Sequence, residues 1–193
     1  MPDTRQTGGV SIHSEHPFST AGPDRNPLRR LRGRMTSPVS VWTAESAGRR
    51  VGWTLSSFLV ADGEPAQVVG VVDEDSDLAD LLTATPAAAD GAGAGGATVA
   101  VNLLDWTHRG LADAFAGVAP APGGAFKLGE WTSTDWGPVL TGAPGWLGAR
   151  VLTPVDHAGW GLLVRAVVEH VELGPDPDAG MLSYVRGRYR AVG

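Results

Sequence analysis

Short runs of β-branched and aromatic residues recur along this 193-residue chain, with turn-forming residues between them. For part of each run, apolar residues take alternate positions, which is the spacing of a strand with one buried face. The runs lie at 39–43, 51–60, 68–73, 98–104, 146–155, 160–173 and 182–189. They predict a mainly β domain, a barrel with short peripheral helices, rather than a parallel sheet flanked by helices.

Three further segments, 27–35, 78–82 and 108–117, predict short helices. The first places Leu28, Leu31 and Met35 on one face and four arginines elsewhere. We interpret that basic face as solvated, with contact to a phosphate or polyanion as the alternative.

Two segments have compositions that do not support a packed core. Residues 1–26 are polar and show no apolar period, so we expect a flexible N-terminal tail. Residues 85–97, TPAAADGAGAGGA, predict a mobile low-complexity loop. The rest of 27–193 is long enough to form one domain with its own core.

Charge and residue usage exclude several classes of function. Fifteen basic and 21 acidic residues give a net charge of −6, which disfavours nucleic acid as a partner. The longest apolar stretches, such as 161–168, fall far short of the ~20 residues that cross a bilayer, so no membrane association is expected. The chain has no cysteine, which removes disulfides and thiolate chemistry and fits the cytoplasm. Its five histidines are not clustered, apart from a pair in the tail, so no metal site is expected.

The common local signatures of nucleotide and hydrolase sites give no support either. The P-loop, nucleophile-elbow and HExxH patterns do not occur in the sequence. The glycines at 91–96 follow no predicted strand and lead into one, so they do not match a dinucleotide-binding turn.

Several segments, in order, resemble the flavin reductase-like family of FMN-binding split barrels. They are 29–34, 39–43 (VSVWT), 52–58 (GWTLSSF), 64–66 (EPA), 68–73, 99–104 (VAVNLL), 115–117, 137–140 (GPVL), 146–147 and 183–189 (SYVRGRY). Each motif alone is weakly specific, and the resemblance depends on their shared order and spacing. It covers about residues 28–190 and implies a split β-barrel.

The resemblance implies a non-covalent flavin, FMN or FAD, with NADH or NADPH as hydride donor. A flavin needs an apolar slot for its rings and polar groups for its edge, its ribityl chain and its phosphate. The residues expected to bind it are Trp53, Thr54, Leu55, Ser56, Ser57, Asp73, Ser76, Asn102 and Arg186. Side chains alternate along a strand, so Thr54 and Ser56 should face one side and Ser57 the other. The alternative is that these hydroxyls only line a half-exposed strand.

Two departures from the family concern charge and the reductant. The chain has Asp73-Glu-Asp-Ser-Asp77 where the family often has basic or hydroxyl residues, and these carboxylates would repel a phosphate. Arg49, Arg50, Lys127, Arg186 and Arg188 are candidates for compensating charge. The family often has a histidine near the nicotinamide, where this chain has Trp160, with His157 three residues earlier. We expect both near the nicotinamide site, and interpret His157 as a loop histidine, with a contact to the nicotinamide as the alternative. We assign no catalytic residue, because hydride transfer depends mainly on positioning.

The resemblance thus implies a homodimeric NAD(P)H:flavin oxidoreductase, with a monooxygenase component as a partner for the reduced flavin, and we expect it in the cytoplasm. Two alternatives stay open. One is a flavin-binding split barrel without reductase activity, and the other is a dimeric interaction module that binds no flavin.

Overall fold

The computed structural model describes residues 27–84, 96–176 and 178–193. The predicted tail at 1–26 and positions 85–95 of the predicted loop lie outside the described residues. Ala97, at the end of that loop, belongs to the packed domain. It is buried, and its carbonyl accepts a hydrogen bond from Val151 N at 2.8 Å.

Three α-helices and thirteen strands make up the described chain. The helices are α1 (Pro27–Arg32), α2 (Asp77–Ala84) and α3 (Arg109–Phe115), with 3₁₀ turns at Trp106–His108 and Ala125–Leu128. The strands are β1 (Ser37–Pro38), β2 (Ser40–Ser46), β3 (Arg49–Leu55), β4 (Phe58–Ala61), β5 (Gln67–Asp73), β6 (Thr98–Leu103), β7 (Trp131–Thr134), β8 (Gly137–Leu140), β9 (Gly145–Val151), β10 (Asp156–Ala158), β11 (Gly161–Leu173), β12 (Met181–Val185) and β13 (Arg188–Val192). None of the described helices is long and apolar enough to cross a membrane.

One antiparallel sheet forms the body of the domain. Its strand order is β3-β2-β6-β9-β11-β5-β4, with β10 paired to β11 beside this path. The sheet curls until β3 contacts β5, and α2 packs at the same place. Trp42 is fully buried inside, and a Cβ at Gly70 would lie 2.7 Å from Trp42 Cη2, so glycine is needed there. The prediction of a mainly β split barrel with short peripheral helices is confirmed.

A second apolar cluster lies on the other side of this sheet. The β7–β8 hairpin, α3 and the small β1-β12-β13 sheet cover it. Phe115 of α3 makes edge-to-face contacts with Phe126 and Trp131, with ring centroids 4.9 and 5.5 Å apart. Tyr189 donates a hydrogen bond to Asp113 Oδ1 at 2.8 Å. Burial raises the pKa of Tyr189 most, and the Asp113 carboxylate raises it further. The hydroxyl therefore stays protonated and keeps the hydrogen bond that links β13 to α3.

Two predicted strands are divided in the structure and a third is shorter than predicted. The run at 51–60 divides at a bend formed by Ser56 and Ser57, and β9 ends at Val151 instead of continuing to 155. The run at 182–189 is a hairpin of two strands, because Arg186 and Gly187 form a tight turn with φ of 52° and 75°. The sequence also gave no prediction of the β7–β8 hairpin.

Candidate functional site

The Ser56–Ser57 bend is the centre of the candidate site. Leu55 ends β3 in the core, and Phe58 begins β4 with its ring edge-on to Trp42, at a centroid distance of 6.3 Å. The carbonyl of Ser57 accepts a hydrogen bond from Val71 N at 2.9 Å. Because both flanking side chains pack inward, the two serines are held half-buried at the surface.

Strand register brings three loops to the same end of the sheet. Phe58 pairs with Gly70, so the bend lies beside the last residues of β5. Asp73, at the end of β5, pairs with Gly161, which follows the β10–β11 turn. We call this end the loop edge, and it consists of the bend at 56–57, the turn at 73–76 and the turn at 159–160. The expected residues Ser56, Ser57, Asp73 and Trp160 therefore belong to one region.

Side chains of the acidic turn at 73–76 form hydrogen bonds within the turn and to the start of α2. Asp73 Oδ1 accepts a hydrogen bond from Asp75 N at 3.1 Å. Ser76 is buried, its hydroxyl donates to Asp73 O at 2.7 Å, and it accepts from Ala79 N at 3.1 Å. Ser76 therefore caps α2. Both hydrogen bonds of the Ser76 hydroxyl serve the fold, and its role in cofactor binding stays a prediction.

The two residues expected near the nicotinamide lie beside this turn. His157 Nδ1 is 3.7 Å from Glu74 Oε2, and both side chains are largely exposed. Trp160 is 91% exposed and follows Gly159, whose φ of +64° forms the turn between β10 and β11. An indole this exposed is available to stack on a flat ring.

The N-terminal helix reaches the loop edge from another direction. Arg32 Nη2 donates to Ser57 Oγ at 3.4 Å. Arg186 N donates to the carbonyl of Gly33 at 2.6 Å, which holds the β12–β13 turn against the end of α1. The sequence analysis gave phosphate contact only as an alternative for the whole basic face and did not single out Arg32, because the helical spacing does not show which arginine lies beside a bend 25 positions later.

Two expected cofactor residues instead serve the interior of the fold. Asn102 is fully buried, and its Nδ2 donates to Val41 O and Thr43 Oγ1 at 3.1 and 3.2 Å. Its Oδ1 accepts from Leu140 N at 2.8 Å, which ties β8 to β2 and β6. Thr54 donates to Ala112 O of α3 at 2.8 Å. We leave both out of the candidate site, because their polar groups are already satisfied away from the loop edge.

The remaining expected residues are divided between core and surface. Leu55 is buried, while Trp53 packs against the core but stays half-buried. Arg49 pairs with Asp77 at 2.8 Å and Arg50 with Glu45 at 3.1 Å, so neither offers a free charge. Lys127 belongs to the 3₁₀ turn at Ala125–Leu128, which contacts α3.

The described residues include no group of three or more histidines and carboxylates that could hold a metal ion. The loop edge offers the hydroxyls of Ser56 and Ser57, the carboxylates of the turn at 73–76 and the exposed indole of Trp160, and the Arg32 guanidinium reaches it from α1. The indole can stack on a flat ring, while the hydroxyls and the guanidinium can donate to polar or anionic groups of a ligand.

Comparisons with known proteins agree along almost the whole domain. A family model described as flavin reductase like domain matches residues 32–193. The FMN reductase (NADH) RutF of Ancylobacter novellus is 30% identical to this chain over 169 residues, which is 87% of this chain and 85% of that protein.

Two solved structures have the same fold. One is the NADH:FAD oxidoreductase SgcE6 of Streptomyces globisporus C-1027, in complex with NAD and FAD fragments. It superposes with a TM-score of 0.70 at 23% identity, over 86% of this chain and 91% of that chain. The other is nitrilotriacetate monooxygenase component B of Mycobacterium thermoresistibile, with a TM-score of 0.70 at 21% identity, over 86% of this chain and 85% of that chain.

Proposed function

This chain belongs to the flavin reductase-like domain family, and from that premise we propose that it reduces FMN or FAD with NADH or NADPH. The observation that carries the proposal is the similarity to FMN reductase (NADH) RutF, which extends over most of both chains. The SgcE6 fold supports it, since that protein is an NADH:FAD oxidoreductase.

Residues at the loop edge and next to it fit a flavin. Ser56 and Ser57 provide hydroxyls, and Arg32 and Arg186 provide cationic groups for a phosphate. Trp53 is a half-buried apolar surface next to the bend, and Trp160 can stack on a second ring. We assign the flavin to this region, with the nicotinamide on the side of His157 and Trp160.

When bound, the flavin would accept the hydride, so this chain needs no nucleophile or general base for the transfer itself. The role of its residues is to hold two rings in contact and in line. Trp160, which cannot gain or lose a proton at physiological pH, fits a stacking role. His157 lies close to Glu74, so we place it at the rim of the site.

We also propose that the protein works as a homodimer. β4 is the edge strand of the sheet, and Leu59 on it is 56% exposed. Val69 pairs with Leu59 and is half-buried, and the exposed Arg165 follows in the same row. The half-buried Leu163 lies on this face opposite Val71. An exposed edge strand with an apolar face is costly in water, and a second copy is its simplest cover. Light scattering at micromolar concentration should give the mass of a dimer, and a monomer would contradict this.

The proposed location is the cytoplasm, and the proposed partner is a monooxygenase component that consumes the reduced flavin. The partner is suggested by the shared fold with a monooxygenase component B. Mixing the protein with a flavin-dependent monooxygenase that lacks its own reductase should restore hydroxylation in the presence of NADH and flavin.

The proposal is tested by following NADH and NADPH absorbance with the purified protein and added FMN or FAD. We expect oxidation of at least one nucleotide that depends on both protein and flavin. Absorbance of the protein after incubation with FMN and desalting, or a binding titration, reports flavin binding separately. Flavin binding without nucleotide oxidation would favour the second candidate, a flavin-binding protein that is not a reductase. The reason to consider it is that Trp160 has no protonatable group where the family often has a histidine. No flavin binding at all would favour the interaction module.

A further inference from the structure

Six arginines, which we call the basic cluster, lie in two segments, 29–34 and 186–188, that the backbone hydrogen bond from Arg186 N to Gly33 O joins. They are Arg29, Arg30, Arg32, Arg34, Arg186 and Arg188. Among the described residues, the arginines paired with a carboxylate are Arg49, Arg50 and Arg150, so the ion pairs found leave all six of the cluster unneutralised. In a chain with a net charge of −6, these two segments attract anions, and the contacts of each arginine decide which of them can bind a ligand at the loop edge.

Within this cluster, Arg32 is the side chain that touches the loop edge. Its Nη2 is 3.4 Å from Ser57 Oγ, and Ser57 acts as the acceptor. The hydroxyl of Ser57 therefore keeps its own hydrogen for another partner, and the guanidinium keeps most of its N–H groups. The backbone bond from Arg186 to Gly33 holds a second arginine near the same helix end.

We propose that Arg32, together with Ser57, binds the phosphate ester of the flavin, so that the phosphate lies against the end of α1 and not at the turn 73–76. This inference rests on the proposed function. The turn carries Asp73, Glu74 and Asp75, whose charges repel a phosphate, and its buried serine is used to cap α2. A guanidinium and a hydroxyl directed at one anionic oxygen are a favourable pair of donors.

The same helix supplies a matched control. Arg30 and Arg34 line a shallow depression with Pro27 and Leu31. Residues two apart on a helix do not share a face, so Arg30 points away from Ser57. Arg30→Ala removes the same charge from the same helix without touching the proposed contact.

The test is a titration of the whole protein with FMN and with riboflavin, which differ only in the phosphate. Arg32→Ala should weaken FMN binding about tenfold or more and leave riboflavin binding unchanged. Arg32→Lys keeps the charge but lacks the planar guanidinium, so its FMN affinity should lie between those of Arg32→Ala and the native protein. Arg30→Ala should change FMN binding much less. Thermal unfolding of each variant checks that the exposed substitutions leave the domain folded.

Several results would overturn the inference. One is that Arg32→Ala weakens FMN and riboflavin binding equally. Another is that Arg30→Ala weakens FMN binding as much as Arg32→Ala does. The third is that Arg32→Ala leaves FMN binding unchanged. NADPH also carries a phosphate ester, so the KM values for NADPH and NADH are measured in the same variants. A loss confined to NADPH would assign Arg32 to the nucleotide and overturn its assignment to the flavin. Phosphate-dependent FMN binding without NAD(P)H oxidation would overturn only the proposed function, whereas failure of both flavins to bind would overturn both.

Discussion

Arg150 on β9 and Glu169 on β11 form a two-pronged ion pair, with Nε 2.7 Å from Oε1 and Nη2 3.1 Å from Oε2. Trp136 Nε1, in the turn of the β7–β8 hairpin, donates to the same carboxylate at 2.8 Å. Burial acts to raise the pKa of Glu169, but the hydrogen bonds from Arg150 and Trp136 and the charge of Arg150 outweigh it and lower the pKa.

A lowered pKa in the folded state means that the interaction stabilises the protein at neutral pH and loses this effect in acid. The loss should begin as pH falls through the ordinary value of 4.5 and be complete below the folded-state pKa. Glu169→Gln should lower the free energy of unfolding by about 1 kcal/mol at neutral pH, because the pair is partly exposed. That difference should shrink in thermal unfolding at acid pH. Glu130→Gln, an exposed side chain, is the control, and a pH-independent difference for Glu169→Gln would contradict the argument.

Asn102 should be a structural residue. Asn102→Ala leaves the buried N–H of Leu140 without its partner and removes the side-chain hydrogen bonds to Val41 O and Thr43 Oγ1. We expect a loss of roughly 3 kcal/mol in the free energy of unfolding, measured in urea. FMN affinity of the folded variant should stay near that of the native protein. A variant of native stability with weakened FMN binding would return Asn102 to the cofactor site.

Replacement of two glycines by alanine should change the free energy of unfolding in opposite directions. A Cβ at Gly148 would lie 2.3 Å from Trp136 Cδ2, so Gly148→Ala should displace the indole and cost about 1–3 kcal/mol. Gly110 is in α3 with no atom within 4 Å of its added Cβ, so Gly110→Ala should stabilise by about 0.5–1 kcal/mol. Thermal unfolding measures both, and Trp fluorescence should change in the first variant alone.

The acidic turn should weaken binding of phosphorylated flavins. Replacing Glu74 and Asp75 by Arg and Ser removes two repelling charges and adds an attractive one, so FMN should bind tighter, by about tenfold at low salt. Riboflavin affinity should change much less, and added salt should reduce the gain for FMN. A gain of equal size for riboflavin would show that the effect does not act on the phosphate.

Substitution of Ser56 tests whether the bend at 56–57 contacts the flavin. Ser56→Ala removes a surface hydroxyl that no described residue is found to hydrogen-bond, so folding stability should change by less than about 0.5 kcal/mol. FMN and riboflavin affinities should both fall, each by roughly three- to tenfold, if the hydroxyl contacts the part the two ligands share. Calorimetric titration with both ligands measures this. Unchanged affinity for both would exclude Ser56 from the site.

The fold could largely be predicted because its strands carry alternating apolar residues and its helices are short and periodic. The bend at Ser56 and Ser57 could not be, since serine is compatible with a strand and only the register of β4 on β5 shows where the chain turns. Period-two alternation assigns Asn102 to a face of β6. It does not show that the β7–β8 hairpin covers that face. The proximity of Arg32 to Ser57 is likewise a property of the folded chain, invisible in the spacing of either segment.

The backbone bond from Arg186 to Gly33 joins the first helix of the domain to its last hairpin, and β1 pairs with β12 in the same region. The end of α1, which carries Arg32 beside the loop edge, therefore depends on a segment about 150 positions later in the chain. A chain cut before residue 186 would lack this partner of α1 even if much of its barrel could still fold. A fusion joined just before residue 27 would start at the helix that carries Arg32, whereas Val192 pairs with Met181 at the end of the hairpin remote from its turn, so the choice of fusion end is a functional decision.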